Sequence, residues 1–161
     1  MKTRKTVRKG VYRVAQHGLK IGMSLLPWRQ PKVLQGVGAV KRLPMWVRRK
    51  GYHRVLVITD ENLMRLHLLD EMLAEMDAAK LQYVIYRDIS ANPTDLNVEE
   101  GLALYMSFQC ECMIAFGGGA PIDCAKAIGA RVARPKKSVR ELQGMLRVPV
   151  SYTHLRAHET D

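Results

Sequence analysis

Two stretches of this sequence carry residue types at spacings that could do chemistry. The first is FGGGAPIDCAK, residues 116–126. Gly117, Gly118 and Gly119 stand between an apolar run and a helix-forming segment. Without Cβ atoms a backbone can turn sharply and let a phosphate come close. A helix N-terminus adds unpaired N–H groups and a partial positive charge. Together these make a pyrophosphate cradle. The spacing is neither G-x-G-x-x-G nor a P-loop, which would close on G-K-[ST]. The plainer reading is a tight strand-to-helix turn, with Asp123 and Lys126 as an exposed i,i+3 ion pair. The second stretch is SYTHLRAHETD at the C-terminus, where His154 and His158 lie four apart and Glu159 follows. On a helix that puts two imidazoles on one face beside a carboxylate, a pattern that can hold a metal.

Other polar residues sit just after apolar runs. Asp60 ends RVLVITD, where a carboxylate can accept from a ribose hydroxyl and would repel a 2′-phosphate. It can equally cap the next helix. Asn92-Pro93-Thr94 follows QYVIY, either as the lip of a cleft or as an X-Pro turn and helix cap. Gly36-x-Gly38 reads as a turn. Cys110, Cys112 and Cys124 are too sparse for a four-ligand metal site and read as buried thiols of a reducing compartment.

These residues need a scaffold. The composition, 47% hydrophobic and 25% charged, is that of a globular protein. No apolar run approaches the roughly 18–20 residues of a membrane span. The net charge of +11 is uneven: residues 1–50 hold 14 Lys or Arg and no acidic residue, and the remainder has 12 basic against 15 acidic. That first third reads as a solvated basic extension, with a transit peptide or a docking arm for anionic lipid or nucleic acid as alternatives.

Residues 11–26 show helical spacing up to Pro27. KVLQGV is a strand candidate. A helix follows, carrying Val40, Leu43 and Val47, with Pro44 admissible only in its first turn and Gly51 as its C′ residue. RVLVITD reads as a strand buried on both faces. Leu69, Met72, Leu73 and Met76 form one helical stripe. QYVIY is a third strand. NPTDLNVEEGLALYMSF enters a helix capped by Thr94 or Asn97, with Glu100 near its first turn. CMIAF is a fourth strand, and Pro121 opens a helix that runs to about Ala133. The alternation predicts an α/β fold, an open parallel Rossmann-like sheet with helices on both faces. Such sheets bind ligands beyond the carboxyl ends of their strands.

The segments GVGAVKRLP, GYHRVLVITDENL, ANPTDLNVEEGLALY and IAFGGGAPIDCAKAIGARVARPKKSV resemble the N-terminal half of iron-containing (group III) alcohol dehydrogenases. The resemblance covers roughly residues 31–148. It implies a cytoplasmic, NAD(P)-dependent oxidoreductase of alcohols and aldehydes, homo-oligomeric at full length, with no nucleic-acid partner and no stable membrane insertion. It maps pyrophosphate contacts to Gly117, Gly118 and Gly119. Ala120 replaces the family's usual serine, so one hydroxyl contact is lost. It places Asp60 on the adenosine ribose, favouring NAD over NADP, with Asn92 in the same cleft and Asp123 toward the nicotinamide. His67 and Lys80 stand where the family usually has glycine, which puts helix ends in doubt.

The family's chemistry uses Fe2+ or Zn2+ held by one Asp and three His of an all-helical C-terminal domain. That domain is not in this sequence, so no catalytic or metal-ligating residue is expected here. The expected organisation is a basic helical extension over 1–30, an incomplete dinucleotide-binding domain over 31–148, and an artefactual tail over 149–161. The tail matches a translated sequencing adapter codon for codon through Val150–Glu159, which would remove His154 and His158 from the chemistry. The fragment is expected to be inactive alone and marginally folded, because four strands leave an unpaired edge. Sibling readings are a glycerol dehydrogenase or a dehydroquinate-synthase-like enzyme. A reading of another class is a basic N-terminal module that binds anionic membrane or nucleic acid.

Overall fold

The computed structural model describes residues 34–142. They lie within Lys32–Asp161, one of the two units into which the chain divides. The helix expected over 11–26 and the His154, His158, Glu159 trio lie outside the described residues.

The strand expected at KVLQGV does not form in its described part. Gly36 and Gly38 take left-handed φ values of 104° and 73°, which no strand accommodates. The Ala39 N–H instead donates to the Gly36 carbonyl at 3.0 Å and closes a turn. Helix α1, Ala39–Arg49, follows with Ala39, Leu43, Pro44 and Val47 buried. Pro44 is the sixth helical residue, not a first-turn residue as expected. It has no N–H for the Val40 carbonyl, but its ring is fully buried. That packing offsets the lost bond. Gly51 closes the helix at φ 85°, with its N–H 3.0 Å from the Arg48 carbonyl, as a C′ glycine should.

Strand β1, Arg54–Ile58, is the centre of the sheet. Val55 through Ile58 are fully buried. The pleat sends Val55 and Val57 into one apolar cluster, with Leu43, Val47, Leu69, Met72 and Met76. It sends Leu56 and Ile58 into the other, with Val98, Cys124 and Ile128. A short α2, Glu61–Arg65, and α3, Asp70–Ala78, follow. The stripe read from the sequence faces inward: Leu69, Met72 and Met76 are buried, and Leu73 packs beside them. Strand β2 is Gln82–Tyr86.

Helix α4, Asp95–Ser107, is capped by Thr94, and Asn97 completes a capping box from the third helical position. Glu100 lies one turn further in than expected. It accepts from the Tyr86 hydroxyl at 2.8 Å. Strand β3, Cys112–Ala115, runs into the glycine turn and α5, Gly119–Ala133.

Among the described residues the sheet has three strands in the order β2-β1-β3, all parallel, where four were expected. Register pairs Ile58 with Tyr86 on one side and with Ala115 on the other. Apolar clusters lie on both faces, α1 and α3 over one and α4 and α5 over the other. The expected doubly wound α/β architecture therefore holds. The chain leaves β1 toward β2 and later returns past β1 to β3. The order thus reverses between the carboxyl ends of β1 and β3, which is where open α/β sheets bind ligands.

Candidate functional site

At that reversal two segments meet. The Phe116 N–H donates to the Ile58 carbonyl at 2.8 Å, which ties the end of β3 to the end of β1. Thr59 and Asp60 follow directly on β1. Asp60 caps α2: its Oδ1 accepts the Leu63 N–H at 3.0 Å. This is the capping role weighed for it from sequence. Its other oxygen faces the glycine turn, with Oδ2 3.6 Å from the point a Cβ on Gly117 would occupy.

The three glycines differ. Gly117 has φ 136°, and a Cβ there would sit 2.8 Å from Leu63 Cδ1 and 3.0 Å from Pro121 Cγ. The fold itself demands glycine at this position. A Cβ on Gly118 or Gly119 would meet nothing within 4 Å. Gly118 is extended, at φ −77° and ψ −153°, a conformation open to any residue. Packing among the described residues does not explain those two glycines, and the surface above them is open.

That space adjoins the start of α5. No side chain caps this helix, and no acidic residue stands in its first turn. Pro121 has no N–H, so the free donors of the first turn are those of Gly119 and Ala120. The turn therefore combines open surface, backbone donors and a helix start with no acidic residue in its own first turn, which suits a pyrophosphate. The partly buried Ala120 adds no hydroxyl.

The remaining predicted residues lie at the margins. Asn92 is exposed; its carbonyl accepts from Ser90 Oγ at 2.6 Å. Asp123 is exposed and paired with Lys126 at 2.7 Å, the surface ion pair weighed for it from sequence. Burial pushes the Cys110 thiol up to about 11, Cys112 to about 12 and Cys124 to about 11. Cys110 and Cys124 are buried and Cys112 is half-buried, and all three are protonated thiols. Among the described residues no group of three or more His, Cys, Asp or Glu could hold a metal ion.

Some groups went unnoticed in the sequence. Thr59 is fully buried, and its Oγ1 has no hydrogen-bond partner among the described residues. The only sequence signal is a hydroxyl inside an apolar run. Tyr86, Asn97 and Glu100 form a hydrogen-bonded cluster that no local spacing announces. An open groove of about 520 Å³ beside β2 is lined by Ile85, Tyr86, Asp88, Glu100 and Leu104 among others. None of the glycine-turn residues borders it.

The profile of the iron-containing alcohol dehydrogenase family matches residues 30–153. The chain belongs to that family. The match extends past residue 148, where the dinucleotide-binding part was expected to end. Lactaldehyde reductase of Escherichia coli (strain K12) is 39% identical over 111 residues, which is 68% of this chain and 29% of that protein. 1,3-Propanediol dehydrogenase of Klebsiella pneumoniae is 35% identical over 81 residues, 49% of this chain and 21% of that protein. The crystal structure of a 1,3-propanediol oxidoreductase superposes with a TM-score of 0.65 at 28% identity, over 69% of this chain and 29% of that one. The fold is also that of sulfoacetaldehyde reductase from Bifidobacterium kashiwanohense in complex with NAD+, with a TM-score of 0.67 and 21% identity over 84% of this chain and 35% of that one. The sequence thus spans under a third of the length of these curated relatives.

Proposed function

We propose that residues 34–142 form the NAD-binding part of a metal-dependent oxidoreductase that interconverts alcohols with aldehydes or ketones. One observation carries the reading: Gly118 and Gly119 leave open an uncapped helix start at the sheet's reversal point, with Asp60 Oδ2 beside it. The Gly119 and Ala120 N–H groups would bind the pyrophosphate. Asp60, its Oδ1 already held by the Leu63 N–H, would present Oδ2 to the adenosine ribose. A carboxylate there accepts from a 2′-hydroxyl and repels a 2′-phosphate, so NAD is favoured over NADP. Asn92 and Asp123 would border the cleft at its two ends. When bound, NAD supplies the acceptor for the substrate's hydride.

The described residues do not fit a metal site, so no step is assigned to Fe2+ or Zn2+ here. An alcohol or aldehyde substrate, homo-oligomeric assembly and a cytoplasmic setting accompany the reading. It is supported by membership of the family and by the names of the relatives. Among the described residues no helix is long and apolar enough to cross a membrane.

NADH fluorescence titration of the chain tests this. NADH should bind more tightly than NADPH, Gly118→Asp should abolish binding, and Asp60→Asn should narrow the preference. Equal binding by the Gly118→Asp variant, or no binding by the unmutated chain, overturns the reading.

A further inference from the structure

We propose that Asn97 is a positioning residue for this nucleotide site. It holds the Asp88–Thr94 loop, which carries Asn92, through both arms of its side-chain amide. The proposal rests on the nucleotide reading above.

Parallel βα units bring the starts of α4 and α5 to the same edge of the sheet. The loop after β2 must cross that edge to reach α4. Asn97, 9% exposed, holds it. Its Oδ1 accepts from the Thr94 N–H at 3.1 Å, from Thr94 Oγ1 at 3.1 Å and from Ser90 Oγ at 3.1 Å. Its Nδ2 donates to the Asp88 carbonyl at 2.9 Å and to the Tyr86 hydroxyl at 3.2 Å. The Tyr86 hydroxyl donates its hydrogen bond to Glu100 at 2.8 Å, which leaves its lone pairs to accept from Asn97. The single Ser90 hydroxyl proton is shared between Asn97 Oδ1 at 3.1 Å and the Asn92 carbonyl at 2.6 Å, so Ser90 sits between the two residues. The Asn97 backbone carbonyl lies 4.0 Å from the buried Cys124 Sγ of α5. Asn97 therefore touches both the loop and the helix that starts at the glycine turn.

A helix cap needs only the acceptor arm. An aspartate would supply it and would also favour the positive end of the helix. The amide's donor arm adds two bonds that capping does not require, and both reach outside α4, to β2 and to the loop. Positioning the loop is what those two bonds accomplish.

The test is NADH titration of the full 161-residue chain, with thermal melts alongside. Asn97→Asp keeps the cap acceptor and removes the donor arm. It should melt near the unmutated chain and bind NADH roughly tenfold more weakly, the effect of losing a buried hydrogen bond to the loop. Asn92→Ala should weaken binding in the unmutated background but add nothing on top of Asn97→Asp, because both act through the same loop. Ser90→Ala should weaken binding in the same direction. If Asn97→Asp unfolds, the Ser90→Ala and Asn92→Ala cycle decides in the same way. Additive losses, or unchanged binding by Asn97→Asp while Gly118→Asp abolishes it, overturn this proposal alone. No binding by the unmutated chain overturns the nucleotide reading and this proposal together.

Discussion

Asp60 and Gly117 face one another across the ends of β1 and β3, with the carboxylate Oδ2 3.6 Å from where a Gly117 Cβ would stand. The neighbouring glycines have no such constraint, so the run separates by experiment. Gly117→Ala forces a left-handed backbone and a clash with Leu63 and Pro121. It should cost about 1–3 kcal/mol in urea unfolding. Gly118→Ala meets open space and should leave stability within about 0.5 kcal/mol. Yet its methyl would intrude on the phosphate, so NADH binding should weaken. A stable Gly117→Ala, or a Gly118→Ala that binds as before, contradicts this division.

Among the described residues, three that are not glycine occupy left-handed positions: His67 at φ 58°, Lys80 at 54° and Gln109 at 51°. His67 and Lys80 are the two sites where the family resemblance leads one to expect glycine. The helix ends put in doubt by those substitutions do form, at an energetic cost. Lys80→Gly should stabilise the chain by about 0.5–1 kcal/mol, the left-handed penalty less the entropy glycine brings to the unfolded state. His67→Gly should gain less, because it gives up the 2.9 Å contact to Asp70. Chemical denaturation midpoints at unchanged m-value measure both.

Residues that declare themselves by local pattern were legible. RVLVI, QYVIY and CMIA are apolar runs between turn residues, and each is a strand. Thr94 and Gly51 carry their caps in their chemistry. KVLQGV misled because its apolar residues outweighed Gly36 and Gly38, whose backbone angles decide the segment. Pro44 misled because propensity forbids it and burial overrules propensity. Asp60 was legible as a polar residue ending a buried strand, but its division between a cap and the turn was not. The Tyr86–Asn97–Glu100 cluster was invisible, since it depends on α4 lying against the end of β2.

The buried thiols give a chemical test. Desolvation raises Cys110 and Cys124 to about 11 from an ordinary 9.0, and Cys112 to about 12. Iodoacetamide needs the thiolate, so native labelling near neutral pH should be slow and should become fast in denaturant. The sign for stability follows. Above the ordinary value the unfolded chain releases thiol protons that the folded chain retains. Folding stability should therefore fall as pH rises through the window between 9.0 and about 11. Cys→Ser at position 112 should remove part of that decline. Rapid native labelling of Cys124 would contradict its burial.

Arg131 joins α5 to α4. Its Nε and Nη2 reach the Glu99 oxygens at 2.8 and 3.2 Å. Its Nη1 donates to the carbonyls of Pro135 and Lys137 at 2.9 and 2.6 Å. The hydrogen bond from Arg131 is the main cause that lowers the Glu99 carboxyl below its ordinary 4.5. A lowered carboxyl contributes stability that is present above the unfolded value and is lost as pH falls through the folded value. Stability should therefore drop in acid below pH 4.5. Glu99→Gln should flatten that limb. With the Glu99 side chain 46% exposed, solvent screens the pair, and its worth near neutrality should stay under about 1 kcal/mol. Arg131→Ala should cost more than Glu99→Gln, because it also strips two carbonyls of their donor. Equal losses for the two variants, or an acid limb unchanged by Glu99→Gln, would show that the guanidinium's contacts to the Pro135–Lys137 turn contribute nothing or that the ion pair does not govern the acid response.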